Sequence, residues 1–275
     1  MTNKKLLYKL LSFTTPHGTE ERIVDIINPI LKKLGFITAQ DSKRNLYAVR
    51  DCEQKNPQYV LLSAHMDTVH FNKFPTRVNI IRDGSIWHTG GTSILGADDK
   101  AGIVAALAIA EYTPDTPMKI FFSVGEETGC IGANFAVKHH SSFFRNIEYG
   151  LVLDRKGENH ILPSQLLETS CSGRFLSKFL EIVMAKNYPF LVVDGSLSDT
   201  YILKQIVPNM VNLSVGYELE HTRDEYLNVS TLDKLVQLYI AIVEQLDLSQ
   251  PFGEFKDNQF EKYYGALIEY YDREG

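Results

Sequence analysis

Apolar residues along this chain recur with two different periods. At helical spacing, Ile23, Ile26, Ile27, Ile30, Leu31 and Leu34 share one face, so residues 20–34 are expected as a helix that stops at Gly35. A shorter helix over residues 4–12 precedes it. Nearly continuous apolar runs at residues 59–63, 119–124 and 149–153 have instead the length and bounds of strands buried on both faces. Residues 45–50 read as another strand, followed by a charged turn at 51–56. Over residues 99–112 the small side chains Ala101, Val104, Ala105, Ala108 and Ile109 form a stripe that lets a helix press closely on a sheet. Beyond residue 154 the expected order is strand 160–162, strand or loop 166–170, helix 174–186, strand 190–193, helix 199–205, strand 211–215 and helix 231–246. Strands alternating with helices imply an α/β fold, a mostly parallel central sheet with helices on both faces. One domain spans residues 1–248 in this reading. The remaining stretch, 249–275, differs: Pro251 and Gly253 break the helix, and Phe252, Phe255, Phe260, Tyr263, Tyr264, Tyr270 and Tyr271 lie among charges. This aromatic tail is a terminal helix folded back on the domain, or a contact between copies of the chain.

At 275 residues, 44% hydrophobic and 23% charged, the chain has the composition of a globular protein with a substantial core. A formal net charge of −6 without a basic stripe argues against nucleic-acid and membrane partners. Tyr8, Lys9 and Ser12 interrupt the apolar run near the start, so neither a signal peptide nor a membrane span is expected. Cys52, Cys130 and Cys171 are odd in number and lack metal-type spacing, as befits reduced thiols of a cytoplasmic protein.

Chemistry enters where the buried strands end. His65-Met66-Asp67 follows the first of the three apolar runs, Glu126-Glu127 the second and Asp154 the third. In open α/β sheets functional groups gather beyond such carboxyl ends, and imidazole with carboxylate is a donor set that zinc accepts. Two residues apart on extended chain, His65 and Asp67 point to one side, so Asp67 can accept the second ring N–H of His65 and fix its tautomer. Asp98 and Asp99 open the small-residue helix after Gly96. Either can be a simple N-cap, leaving the other free to offer one oxygen to each of two cations. The adjacent carboxylates of Glu126 and Glu127 repel each other when buried, and a metal removes that conflict. One then ligates and the other serves as general base. Asp154 alone reads equally well as a salt-bridged strand end, and His221 alone as an ordinary loop histidine.

Taken in order, Ala64-His65-Met66-Asp67-Thr68-Val69, Gly96-Ala97-Asp98-Asp99-Lys100-Ala101-Gly102, Gly125-Glu126-Glu127-Thr128-Gly129, Asp154 and Glu220-His221-Thr222 resemble the di-zinc exopeptidases. The resemblance is nearest to the branch that holds peptidase T and the aminoacylase-like carboxypeptidases. It implies that His65 and Asp154 hold one zinc, Glu127 and His221 the other, and that Asp98 bridges both, with a cis peptide to Asp99. Asp67 supports His65, and Glu126 is the base that takes a proton from water and passes it to the leaving amine. Cobalt or manganese suits the same donors. Ser198, Asp199 and Tyr201 resemble the loop lining the substrate pocket in relatives, and serve equally well to cap and pack the next helix. Members of that branch usually carry a lid or dimerisation domain between the counterparts of Asp154 and His221. Here that interval is taken up by elements of the catalytic sheet, which implies a lidless, single-domain form. The function so implied is an aminopeptidase acting on small peptides. The alternatives are an N-acyl amino acid or other small-amide hydrolase, and a retired peptidase fold that binds a partner. Retention of Glu126 beside every ligand argues against the last. A homo-oligomer formed through the tail completes the expectation.

Overall fold

Alternation along the central strands fills two cores, one on each face of the sheet. In β3 (Tyr59–His65), Val60, Leu62 and Ala64 enter the larger core, and Tyr59 and Leu61 the smaller. The computed structural model describes residues 2–51, 57–69, 74–249 and 251–253. Before β3 come helices α1 (Lys4–Leu11) and α2 (Glu21–Lys33) and strands β1 (Ile37–Gln40) and β2 (Leu46–Arg50). After it come β4 (Ile81–Asp83), β5 (Ile86–His88), α3 (Ala97–Tyr112), β6 (Met118–Ser123), α4 (Ile131–His139), β7 (Ile147–Arg155), β8 (His160–Gln165) and β9 (Glu168–Thr169). The chain continues through α5 (Gly173–Ala185), β10 (Leu191–Gly195), α6 (Asp199–Leu203), β11 (Met210–Ser214), β12 (Tyr217–Glu218), β13 (Tyr226–Asn228) and α7 (Val229–Gln245).

The main sheet runs β1-β2-β6-β3-β7-β11-β8-β10, with β9 pairing β8. Its centre, β6-β3-β7-β11, is parallel throughout, whereas β1, β2 and the β11–β8 pair are antiparallel. Helices α1, α2, α3, α5 and α7 contribute to the larger core, and α4 and α6 to the smaller. This is the single-domain α/β architecture expected. Helix α3 is buried from Ala97 to Ala110, and a Cβ at Gly102 would collide with the Leu153 carbonyl, so its backbone lies directly on β7. A second sheet, β12-β13-β5-β4, is small and antiparallel.

Six elements escape sequence periodicity for physical reasons. Strand β1 is largely exposed and carries no apolar alternation. The strands of the small sheet are two or three residues long and exist through their tertiary pairing. The buried side of α4 consists of Gly132, Ala133 and Ala136, too small to mark a hydrophobic stripe. Strand β8 extends beyond the expected 160–162, and the segment at 166–170 becomes a tight hairpin in which Gln165 pairs Glu168. Cys130 and Cys171 are buried free thiols, and Cys52 lies outside the described residues. Phe252 packs on Tyr149 and Phe175, and its N–H donates to Glu148 Oε1 at 2.6 Å. Of the aromatic tail expected over residues 249–275, residues 250 and 254–275 lie outside the described residues. Among those described, no helix is long and apolar enough to cross a membrane.

Candidate metal centre

Strands β6, β3 and β7 are parallel neighbours, so their carboxyl ends open on one edge of the sheet. His65 ends β3, Glu126 and Glu127 follow β6, and Asp154 lies at the end of β7. Asp98 reaches the same edge from the start of α3, and His221 from the loop between β12 and β13. His65 Nε2 lies 3.0 Å from Asp98 Oδ1 and 3.4 Å from Asp154 Oδ1. On the other side, His221 Nε2 lies 3.1 Å from Asp98 Oδ2 and 2.8 Å from Glu127 Oε1. Asp98 therefore presents one oxygen to each imidazole. Donor atoms of a tetrahedral zinc lie roughly 3.3 to 3.6 Å apart, close to these separations. Glu127 Oε1 is buried and meets no hydrogen-bond geometry despite its closeness to His221, so the two atoms face a common point rather than each other. Crowded nitrogen and oxygen donors of this kind fit divalent-cation binding.

Several groups hold the donors in place. The Asp67 carboxylate lies 3.5 Å from His65 Nδ1, which is closer still to the Asp67 carbonyl, at 3.0 Å. The same carboxylate accepts the backbone N–H groups of Glu126 and Glu127 at 3.0 and 3.2 Å, and so fastens their loop to β3. The peptide between Asp98 and Asp99 is cis, as the resemblance implied. Asp99 fills the capping role, accepting from Gly102 N at 3.0 Å and His65 N at 3.1 Å. In β7 an extra residue opposes β11 between Asn212 and Ser214, and the Asn212 side chain takes over hydrogen bonding to both backbone groups of Asp154. Such a bulge re-aims side chains next to functional sites. Tyr217 donates to Asp154 Oδ1 at 3.2 Å. His221 adopts a left-handed backbone, φ 64°, which a non-glycine residue takes up only when its surroundings impose it.

No sequence pattern marks Glu225, one acid in an acidic loop. Fully buried, its carboxylate accepts the N–H groups of Gly96, Ala97 and Asp98 at 2.8, 2.7 and 3.1 Å, and so fixes the backbone that delivers Asp98.

Too many acids converge here for all to be ionised without a cation. Burial, partly offset by His65, pushes Asp154 up to about 7. Burial, again opposed by His65, and the carboxylates of Asp154, Asp199 and Glu127 push Glu126 up to about 10. Burial also raises Glu127. The Asp98 and Glu127 contacts push His221 up to about 11, and hydrogen bonds from His221 and His65 hold Asp98 below the usual carboxylate range in spite of its burial. His221, and in part Asp154, therefore carry protons at pH 7 that a cation must displace. Zinc titration at pH 7 is therefore expected to release protons, with apparent affinity falling as pH drops through about 7, where Asp154 takes up its proton. Calorimetry in buffers of different ionisation heat measures this. Binding without proton release and with a flat pH dependence would contradict the donor set.

Above the donors lies a cavity of about 290 Å³. Glu126 lines it beside Cys130, whose Sγ lies 3.7 Å from Glu126 Oε1. Glu127 joins the cluster of His65 and Asp98, whereas Glu126 groups with Cys130 and Asp199. Of the three residues expected around a substrate, Ser198 lines the cavity, accepts from Gln165 Nε2 at 2.7 Å and also caps α6. Asp199 is buried behind the wall and accepts a hydrogen bond from Ser123 Oγ. Tyr201 is not among the lining residues; its hydroxyl donates to Glu168 Oε1 at 3.0 Å. Gln165, Asn212, Tyr217, Arg155 and Lys156 also line the cavity, and no local sequence pattern announces them.

A family model for peptidase family M28 matches residues 45–186, a little over half of the chain. Its span takes in His65, Asp98, Glu126, Glu127 and Asp154. The uncharacterized protein YqjE of Bacillus subtilis is 32% identical over 110 residues, which are 38% of this chain and 28% of that protein. The matched stretch thus covers under a third of that relative's length. Among solved structures, aminopeptidase PepT from Bacillus cereus superimposes with a TM-score of 0.76 at 16% identity, covering 90% of this chain and 100% of the other. A tripeptidase from Staphylococcus aureus gives 0.73 at 18% identity over 91% and 100% of the two chains. The TET1 peptidase of Pyrococcus horikoshii, which can assemble into a tetrahedron or a large octahedral shell, gives 0.70 at 16% over 88% and 99%. At these identities the likeness is one of fold.

Proposed function

Because the chain belongs to peptidase family M28, we propose that it is a co-catalytic di-zinc aminopeptidase of the peptidase T kind, removing residues from the N-termini of small peptides. One observation carries this reading: Asp98 stands between two imidazoles with an oxygen toward each, while Glu126 lies beside the donor cluster and outside it. His65 and Asp154 hold one cation in this proposal, Glu127 and His221 the other, and Asp98 both. The nitrogen and oxygen donors suit zinc, and cobalt or manganese can replace it. The chemistry that bound cations supply is polarisation of the scissile carbonyl and acidification of a water molecule. Glu126 receives the proton of that water and returns it to the leaving amine. Burial and neighbouring acids give Glu126 a high proton affinity, which positive charge nearby lowers toward the neutral range where a base works best. Asp67 acts through the backbone of the Glu126-Glu127 loop, keeping base and ligand in register.

The catalytic unit comprises residues 1–248, and the 249–275 segment is assigned no catalytic group. Self-association belongs to the same reading. It is supported by the assembly of the Pyrococcus horikoshii TET1 peptidase and by Leu166 and Leu167, exposed at the tip of the β8–β9 hairpin.

Free-amine substrates are favoured over N-acyl amino acids by the fold likeness to an aminopeptidase and a tripeptidase. Trialanine is expected to lose its N-terminal residue, with activity abolished by chelation and restored by zinc, while N-acetyl-trialanine is cleaved far more slowly. Chromatography of the products decides the matter. Cleavage of N-acetylated substrates alone, or turnover that survives chelation, would overturn the reading.

A further inference from the structure

We propose that Glu126, Cys130 and Asp199 form a third cation site, separate from the metal pair and selective for soft divalent ions, at which cadmium or excess zinc takes the general base out of action. The Cys130 sulfur and one carboxylate oxygen from each acid lie within 4.8 Å of one another. Cys130 Sγ is 3.7 Å from Glu126 Oε1. A sulfur and an oxygen bound to one tetrahedral zinc stand roughly 3.6 Å apart.

The backbone builds this pairing. Cys130 N donates to Glu126 O at 2.9 Å and closes a turn, and Cys130 takes a left-handed φ of 53° as it enters α4. Thiol and carboxylate thus emerge from one turn, and both line the cavity, where a cation from solvent reaches them. Asp199 completes the set from the start of α6. Its Oδ2 accepts from Ser123 Oγ, whereas Oδ1, in a residue only 2% exposed, is buried and meets no hydrogen-bond geometry even with the thiol beside the carboxylate. A buried carboxylate oxygen without a partner is costly, and a cation next to it removes the cost. Among the described residues the other buried thiol, Cys171, joins no such group.

The donor set differs in kind from the nitrogen and oxygen donors of the metal pair, because a thiolate favours zinc and its softer analogue cadmium over manganese. On binding, the Cys130 S–H bond breaks, the sulfur electron pair goes to the cation and the proton to solvent. Burial and the Asp199 and Glu126 carboxylates push that thiol's pKa up, which reserves the site for ions with high sulfur affinity. With its electron pair on the cation, Glu126 no longer accepts a proton from water. The inhibition rests on the peptidase reading; the binding does not.

The zinc-loaded full chain, titrated with cadmium chloride, is expected to bind a further equivalent with a thiolate-to-cadmium charge-transfer absorption in the ultraviolet, and to lose trialanine hydrolysis in parallel. Manganese at the same concentration should produce neither effect. Cys130→Ser should hydrolyse trialanine much as the wild type does, lose the absorption, and need roughly 10-fold or more cadmium for equal inhibition. Asp199→Asn should shift the absorption midpoint to roughly 10-fold higher cadmium; melting curves accompany both variants, and Cys130→Ser alone decides if Asp199→Asn does not fold. An absorption that persists in Cys130→Ser would overturn the proposal, as would equal inhibition of that variant and the wild type. A folded Asp199→Asn that titrates like the wild type would do the same. Failure of the peptidase reading looks different: the cysteine-dependent absorption is then present in a chain that hydrolyses no trialanine.

Discussion

Glu126→Gln is expected to lower kcat by roughly 100-fold or more while leaving bound metal and thermal unfolding essentially unchanged. The expectation rests on position. Glu127, and not Glu126, lies with the donor atoms of His65 and Asp98, whereas Glu126 faces the cavity beside Cys130. Glutamine preserves the shape of the side chain and its reach, and removes only the ability to take up a proton. Stability should not suffer, because the substitution deletes one of several acids that burial and mutual repulsion already disfavour as anions. Steady-state kinetics on trialanine together with metal analysis provides the check. Activity within a few-fold of wild type would remove Glu126 from the base role, and loss of metal with the activity would make it a ligand instead.

Asp98→Ala is expected to strip both cations and reduce activity to background, a larger loss of metal than His221→Ala causes. Its Oδ1 lies 3.0 Å from His65 Nε2 and its Oδ2 3.1 Å from His221 Nε2, so one truncation removes a donor from each half of the centre. The fold should survive the change. Glu225 still holds the backbone N–H of residue 98, and Asp99 still caps α3. Inductively coupled plasma analysis of the purified variant, with circular dichroism as a control for folding, measures the outcome. Two equivalents of metal retained in a folded Asp98→Ala protein would show that this carboxylate bridges nothing.

The contrast between Asp98 and Asp99 shows where sequence reasoning stops. A loop of two aspartates before a helix contains one cap and one free carboxylate in either order, because capping depends on backbone angles that adjacent identical side chains do not reveal. The structure separates them through the turn of the chain: Asp99 points back at Gly102 and at the His65 amide, and Asp98 points out between the imidazoles. Asp67 teaches the same lesson. Its spacing from His65 predicts the approach of the carboxylate to the ring, seen at 3.5 Å, but not the two amides of the neighbouring strand's loop that the same carboxylate binds.

By itself, the sequence determined the buried central strands, the helices that cover them apart from α4, and the chemical identity of the groups at the strand ends. Those properties are written locally: hydrophobic period follows from side chains two or 3.6 residues apart, and an acid after an apolar run stays at the strand end whatever else the chain does. Only the tertiary structure decided which strands are neighbours, and therefore that His65, Glu127 and Asp154 share an edge with His221, more than sixty residues beyond the last of them. It alone supplied Glu225 and Tyr217, and the β-bulge that lets Arg155 line the cavity beside Asp154. None of these has a sequence signature, because a lone acid, a tyrosine or one extra residue in a strand acquires its role from whatever the fold places opposite it.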